Sequence, residues 1–127
     1  MKRVVGLGGI FFKSKDPKAL YEWYRKHLGI ESDAGGAMWR DADHPELPGC
    51  NVFAIFPADT KYFAPSQSPF MLNFRVDNLD ELLLALREEG VQVDPKVEPS
   101  EYGKFGWIID PEGNRVELWE PPKSSSQ

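Results

Sequence analysis

The chain has 127 residues, a size typical of one domain or of two small modules around a shared core. Hydrophobic residues make up 41% and charged residues 28%, which excludes the composition of a disordered chain. The formal net charge of −5 argues against nucleic-acid binding, because that affinity comes largely from Lys and Arg on phosphates. Aromatic residues reach 13%, and such residues form cores or line apolar ligand pockets.

The expected location follows from cysteine usage and from the N-terminal run. A single cysteine, Cys50, excludes an internal disulfide and fits a reducing cytoplasm. The run MKRVVGLGGIFF is short, is interrupted by glycines and lacks a small-residue cleavage site, so we expect no signal peptide. No stretch approaches the roughly 20 apolar residues that cross a bilayer. We therefore expect a cytoplasmic protein with neither a membrane nor a nucleic acid as partner.

The first predicted elements are a strand and a helix. Aromatic and β-branched residues predict the strand over residues 7–14. Asp16 and Pro17 predict the helix start, as N-cap and first helical residue, and Gly29 predicts its end. Apolar residues at helical spacing predict the buried face of this helix: Leu20, Trp23, Tyr24 and Leu28.

The same order of signals returns about 60 residues later. Residues 70–76 predict a strand, Asp77 or Asn78 the helix N-cap, and Gly90 the helix end. The apolar face of this second helix is predicted at Leu79, Leu82, Leu83 and Leu86.

Further strands are predicted after each helix. They cover residues 37–40 and 51–56 in the first half, and 91–97, 104–110 and 114–119 in the second. The last two strands flank DPEGN, a turn sequence typical of a hairpin. We expect one domain over residues 1–127, with a first module at about 3–60, a linker at about 57–69, a second module at about 70–122 and a disordered tail at 123–127.

Three stretches carry a family resemblance that extends from about Arg3 to Pro122: GIFFKSKDPKALYEWYRKHLGI, PFMLNFRVDNLDELLLALREEGV and YGKFGWIIDPEGNRVELWEPP. They resemble the vicinal oxygen chelate superfamily, which includes glyoxalases, bleomycin resistance proteins and extradiol dioxygenases. The resemblance implies an α+β fold in which two βαβββ modules form a half-open barrel around a cavity. It also implies a homodimer, because many members of the superfamily are homodimers.

The resemblance further implies a divalent metal held by one histidine or carboxylate from each of four strands. Glu117, in VELWE, matches one of those positions. The other three positions fall on Gly9, on Met71, and on Ala54, Ile55 or Phe56. Glycine has no coordinating side chain, and the thioether of methionine is a poor ligand in an oxygen or imidazole site. We therefore predict no metal cofactor.

The two histidines do not rebuild that site. His27 falls in the last turn of the first predicted helix, where a cationic ring suits the helix dipole. His44 stands in a loop among Asp41, Asp43 and Glu46, whose spacing matches no metal-ligand pattern, so we interpret it as solvated loop charge.

Glu117 is the candidate catalytic residue, with three readings. It is a metal ligand, a solvent-facing strand residue, or a cavity-facing carboxylate that bonds a ligand or acts as general acid or base. Strand alternation places Met71 and Asn73 on one face, and Asn73 either bonds a neighbouring backbone group or recognises a ligand. The other candidate ligand-binding residues are Tyr102 and Phe105 in EYGKFGW, and Trp39 and Phe53 as pocket walls.

Three functions stay open at this point. The first is metal-independent binding of a small organic molecule, similar to the bleomycin resistance branch, whose members sequester aromatic or cationic ligands. The second is a lyase, isomerase or dioxygenase of the glyoxalase type that uses Glu117 with metal or as an acid or base. The third is a non-catalytic subunit with a vestigial cavity. Fold alone does not decide among them.

Overall fold

A computed structural model describes residues 3–33, 36–40 and 50–122. These residues form two helices and eight strands, which confirms the predicted α+β class. In chain order the elements are β1 (Val4–Ser14), α1 (Pro17–Leu28), β2 (Ala37–Arg40), β3 (Cys50–Pro57), β4 (Phe70–Val76), α2 (Leu79–Glu88), β5 (Gln92–Val93), β6 (Glu98–Ser100), β7 (Gly103–Ile109) and β8 (Arg115–Glu120).

All eight strands belong to one mixed sheet, in the order β2-β3-β1-β4-β8-β7-β5, with β6 paired to β7. The antiparallel strands β1 and β4 lie side by side at its centre. Each has a parallel partner from its own half of the chain: β3 beside β1, and β8 beside β4. The described strands leave the sheet open between β2 and β5, so the predicted half-open barrel is confirmed.

The strands of the two halves depart from the expected βαβββ pattern in two places. Within the described residues, the first half has two strands after its helix, β2 and β3. The predicted strand over residues 91–97 is wrong, because only Gln92–Val93 pairs there. The Asp94 carboxylate accepts a hydrogen bond from the Lys96 amide at 2.9 Å, and Pro95 has no amide hydrogen to donate to a sheet. The acidic loop around His44 and the tail 123–127 lie outside the described residues.

The helix ends follow the local signals. Asp16 accepts a hydrogen bond from the Ala19 amide at 3.1 Å, and Gly29 ends α1 with a φ of 71°. At α2 the N-cap is Asn78 rather than Asp77, because the Asn78 side chain accepts from the Glu81 amide at 3.1 Å. Gly90 follows α2 with a φ of 84°, a conformation that favours glycine. His27 lies in the last turn of α1, as predicted.

Replacing Asn78 with alanine tests this cap. We expect Asn78→Ala to lower the free energy of unfolding by about 1 kcal/mol, because one amide at the start of α2 loses its acceptor. Asp77→Ala, at the adjacent exposed position, is the matched control and should change it by less than about 0.5 kcal/mol. Urea denaturation of both variants measures the difference. A larger loss for Asp77→Ala would show that Asp77, and not Asn78, caps the helix.

Two apolar clusters lie on opposite faces of the sheet. Beneath α2, Leu79, Leu82 and Leu83 pack against Val76 and Leu118. The concave face carries the second cluster, formed by Phe11, Ala54, Phe63, Met71 and Trp107. The second half therefore buries its helix as predicted, while the concave face holds a separate aromatic core.

Helix α1 buries less than predicted. Trp23 is 51% exposed and Leu28 is 62% exposed, so the prediction of a buried face was wrong for these two residues. The helix contacts the sheet instead through Tyr21 and Tyr24, whose rings lie 6.5 and 5.0 Å from the Phe53 ring. A hydrogen bond of 2.7 Å from the Ile55 amide to the Tyr21 hydroxyl fixes this rotation of the helix. No described helix is long and apolar enough to span a membrane.

Candidate functional site

The half-open barrel encloses a cavity of about 700 Å³. Both halves of the chain line it, and matching strand pairs meet at its floor. In the first half Phe11 pairs with Ala54, and in the second half Asn73 pairs with Glu117. These pairs occupy equivalent places, because Phe11 stands five residues before the α1 cap and Asn73 stands five residues before the α2 cap.

Glu117 lies at the floor of this cavity and is 1% exposed, which excludes the solvent-facing reading. Three protein groups donate hydrogen bonds to its carboxylate. The Tyr62 hydroxyl and Trp107 Nε1 both donate to Oε2, the latter at 2.9 Å. Asn73 Nδ2 donates to Oε1 at 2.5 Å. The carboxylate is thus buried but well supplied with donors, the condition under which burial of such a group is tolerated.

Burial raises the pKa of Glu117 above its ordinary value. The donors Tyr62, Asn73 and Trp107, and the positive charge of Arg115, act in the opposite direction but do not cancel the effect of burial. The pKa of Tyr62 is also raised, first by burial and then by the Glu117 carboxylate, so Tyr62 remains a protonated donor. A carboxyl group with a raised pKa can take up or release a proton closer to neutral pH than an exposed one.

The Asn73 side chain is only half satisfied. It is 1% exposed, and its Oδ1 has no hydrogen-bond partner among the described residues, although Nδ2 bonds Glu117. The amide lies directly against β1: a Cβ added at Gly8 would stand 1.9 Å from Asn73 Oδ1. The absence of a side chain at Gly8 therefore creates the space that the Asn73 amide occupies. This environment differs from the backbone hydrogen bond expected for a purely structural asparagine.

Of the aromatic candidates, Tyr102 and Phe105 line the cavity. Tyr102 is 59% exposed, at the cavity rim. The Phe105 ring stacks on Trp119, with 5.9 Å between centroids and 3° between planes. The sequence motif EYGKFGW thus contributes one residue to the rim and one to the wall, while its Trp107 lies beneath the cavity as a donor to Glu117.

Three other candidates do not line the cavity. Met71 is fully buried in the concave core beneath it. Trp39 and Phe53 lie away from the cavity, contrary to expectation, because Phe53 packs on the α1 face of the sheet and the Trp39 ring lies 6.5 Å from it. Val52 and Ala54, the neighbours of Phe53 on β3, face the cavity in its place.

The sequence profile of the glyoxalase-like domain matches residues 9–119, most of the chain. The chain belongs to the glyoxalase-like domain family. No curated protein matches it significantly. The family match and the fold together make this glyoxalase-like protein a member of the vicinal oxygen chelate superfamily, as the resemblance implied.

Solved structures share the fold of this glyoxalase-like protein at low sequence identity. A Streptomyces coelicolor methylmalonyl-CoA epimerase variant in complex with 2-nitronate-propionyl-CoA has a TM-score of 0.70 at 19% identity, covering 98% of this chain and 99% of its own. The Mycobacterium tuberculosis methylmalonyl-CoA epimerase has a TM-score of 0.62 at 22% identity, covering 98% and 93%. The Mn(II)-bound glyoxalase from Novosphingobium aromaticivorans has a TM-score of 0.62 at 20% identity, covering 94% and 40%.

Several residues of the glyoxalase-like site were not predicted from the sequence, and Tyr62 and Trp119 are the two with aromatic rings stacked at the cavity wall. Tyr62, from the linker, donates to Glu117 and stacks on Phe56 with centroids 5.5 Å apart. No periodic signal marks it, since it lies in an irregular segment. Trp119 also lines the cavity, and strand alternation with Glu117 two residues earlier was the signal that could have found it.

The residues at the implied metal positions do not fit a divalent ion. Gly9, Met71 and Ala54 offer no oxygen or imidazole ligand, and both Glu117 oxygens already accept hydrogen bonds from the protein. Within residues 3–33, 36–40 and 50–122, no three His, Cys, Asp or Glu side chains are grouped closely enough to hold a metal. The buried donor set is that of a carboxylate held by hydrogen bonds.

Proposed function

We propose that this glyoxalase-like protein binds a small organic molecule in its cavity without a divalent metal ion. The proposal rests on the hydrogen bonding of Glu117: Tyr62, Trp107 and Asn73 all donate to its carboxylate at the floor of the cavity. The neighbouring strand positions that would complete a metal site supply no ligand. A molecule entering the cavity would meet hydrogen-bonding groups rather than an ion.

The size and walls of the cavity support this proposal. A volume of about 700 Å³ lies within the range of small-molecule sites, which is roughly 300–1,000 Å³. The walls are mainly apolar and aromatic, while Asn73 and Glu117 supply a few polar atoms at the floor. Met71 lies beneath the cavity and does not fill it, which argues against a vestigial cavity.

A cavity-filling variant tests the proposal. N-phenyl-1-naphthylamine is a neutral aromatic probe whose fluorescence rises in apolar sites, and we expect the protein to bind it. Ala54→Phe places a ring in the cavity and should weaken this binding at least about tenfold, which is about 1.4 kcal/mol. Leu84→Phe adds the same ring on the exposed side of α2 and should leave the affinity unchanged.

Elemental analysis of the purified protein accompanies this titration. We expect less than stoichiometric divalent metal, and no change in probe affinity after treatment with EDTA. A stoichiometric metal ion, or probe binding that survives Ala54→Phe, would contradict the proposal.

A second candidate is an acid–base reaction of the glyoxalase type, with Glu117 as the proton-transfer group. The raised pKa of Glu117 at the floor of the cavity favours it. Under this candidate, Glu117→Gln abolishes turnover of an α-oxo substrate in a protein that still folds. The homodimer and the cytoplasmic location stay predictions from the sequence.

A further inference from the structure

Arg115 lies next to two of the three groups that donate to Glu117. Strand alternation puts Arg115 and Glu117 on the same face of β8. The central carbon of the Arg115 guanidinium lies 4.7 Å from the centre of the Trp107 ring and 5.6 Å from the centre of the Tyr62 ring. Those two rings meet edge to face, with 6.2 Å between centroids and 89° between planes. The cation and the two rings therefore form one packed cluster, and both rings donate to Glu117 Oε2.

The Arg115 guanidinium also holds the backbone of the linker. It donates to the Tyr62 carbonyl and lies 3.4 Å from Asp94 Oδ2. Tyr62 belongs to the turns between β3 and β4, outside the sheet. One guanidinium thus contacts both the carbonyl and the ring of the residue whose hydroxyl donates to Glu117. A planar group with five N–H donors can donate at its edge while its face lies on a ring.

Arg115 is sheltered from water but stands outside the binding cavity. Its side chain is 11% exposed, and the ring faces, the Tyr62 carbonyl and Asp94 offset the loss of hydration. Arg115 is not among the described residues that line the cavity of about 700 Å³. With Trp107 it lines a separate, smaller cavity of about 190 Å³. A residue in this place acts on a bound molecule through the groups that it holds.

We infer that Arg115 is a positioning residue of the site, which holds the Tyr62 hydroxyl and the Trp107 indole in place to donate to Glu117. The inference rests on the proposed function, because it treats Glu117 and its donors as the polar floor of the binding cavity. Without the guanidinium, Tyr62 loses a partner for its carbonyl and a contact to its ring, and Trp107 loses a contact to its ring face. Both donors to Glu117 Oε2 are then less firmly placed.

Hydrogen exchange of the Trp107 Nε1–H, followed by NMR, tests the inference. Trp107→Phe assigns its signal among those of the four tryptophans. The indole rate is divided by the rates of the β8 backbone amides, which report opening of the sheet. We expect Arg115→Met to raise this ratio at least about tenfold, because the indole loses its fixed position while the sheet stays paired. A merely structural role would speed the amides at least as much as the indole, and an unchanged or lower ratio overturns the inference.

Two further variants separate the guanidinium from charge in general. Arg115→Lys keeps a cation and a donor for the Tyr62 carbonyl but lacks the planar fork, so it should raise the ratio only about threefold. Arg87→Met removes an equal charge from an exposed position in the last turn of α2 and should leave the ratio unchanged. If Arg115→Met does not fold, Arg115→Lys decides the question, and a ratio equal to that of the unmodified protein overturns the inference.

Binding of N-phenyl-1-naphthylamine separates this inference from the proposed function. We expect Arg115→Met to weaken that binding about threefold, because the Tyr62 ring forms part of the cavity wall and is less firmly placed. If the exchange ratio is unchanged while Ala54→Phe weakens probe binding, the inference is overturned and metal-independent binding stands. If the ratio rises but the unmodified protein does not bind the probe, Arg115 positions the donors to Glu117 and the proposed function fails.

Discussion

Replacing Gly8 with alanine is expected to lower the free energy of unfolding by about 3 kcal/mol. The new Cβ would stand 1.9 Å from Asn73 Oδ1 and 3.1 Å from a Trp119 ring carbon. Asn73 is 1% exposed and its amide is held by the hydrogen bond to Glu117, so a shift of the amide away from Gly8 costs that bond. The cost combines overpacking with the loss of one buried hydrogen bond. Urea denaturation measures it.

Gly6→Ala is the matched control on the same strand. Its Cβ would also be close to another group, 2.5 Å from Arg75 Nη2, but that guanidinium is the far end of a flexible side chain. The guanidinium can swing aside, so the loss should stay under about 1 kcal/mol. Equal losses for the two variants would show that the Asn73 amide does not depend on the space at Gly8.

Two replacements of Glu117 are expected to lower stability by different amounts. Glu117→Ala removes the acceptor of Tyr62, Trp107 and Asn73 and should lower the free energy of unfolding by about 3–5 kcal/mol, since buried donors lose their partner. Glu117→Gln keeps an acceptor for Tyr62 and Trp107, and its amide can donate to Asn73 Oδ1 after that side chain rotates. We therefore expect Gln to be the stabler replacement.

The stability of Glu117→Gln relative to the unmodified protein is expected to depend on pH, because the pKa of Glu117 is raised. The folded protein retains a proton on Glu117 over a pH range in which the unfolded chain has already released it. The resulting stabilisation is present at acid pH and is lost as pH rises through the folded-state pKa. Glutamine has no proton to lose, so the stability of Glu117→Gln minus that of the unmodified protein should increase from about pH 4 to pH 8.

Urea denaturation at several pH values measures this difference. Glu112→Gln, exposed in the turn of the same hairpin, shows the effect of removing a carboxylate outside the core. A difference for Glu117→Gln that falls as pH rises would mean that its hydrogen-bond donors outweigh the effect of burial.

Most of the fold was predictable because its signals are local. Asp16, Asn78 and Gly29 mark helix ends through contacts within a few residues, and DPEGN marks the last hairpin. The errors arose where tertiary contacts, and not local sequence, determine which side chains are buried. The rotation of α1 depends on the bond between Tyr21 and β3, so the exposure of Trp23 was not readable from helical spacing.

The site was predictable only in part. Alternation correctly placed Met71 and Asn73 on one face of β4, but the depth of each side chain depends on the packing above it. On β3 the alternation was clear but its phase was not, and a shift of one residue exchanges Phe53 for Ala54. Tyr62 reaches Glu117 across 55 positions of sequence, a contact that no local pattern contains.

The equivalent strand pairs at the cavity floor would determine the orientation of a bound molecule. In the first half of the chain, Phe11 and Ala54 form an apolar end of the cavity. In the second half, Asn73 and Glu117 form a polar end. The two halves share one strand arrangement, but one lines the cavity with apolar groups and the other with polar groups. The cavity is therefore asymmetric. A guest with unlike ends has one preferred orientation, whereas one with two identical ends always leaves one of them mismatched.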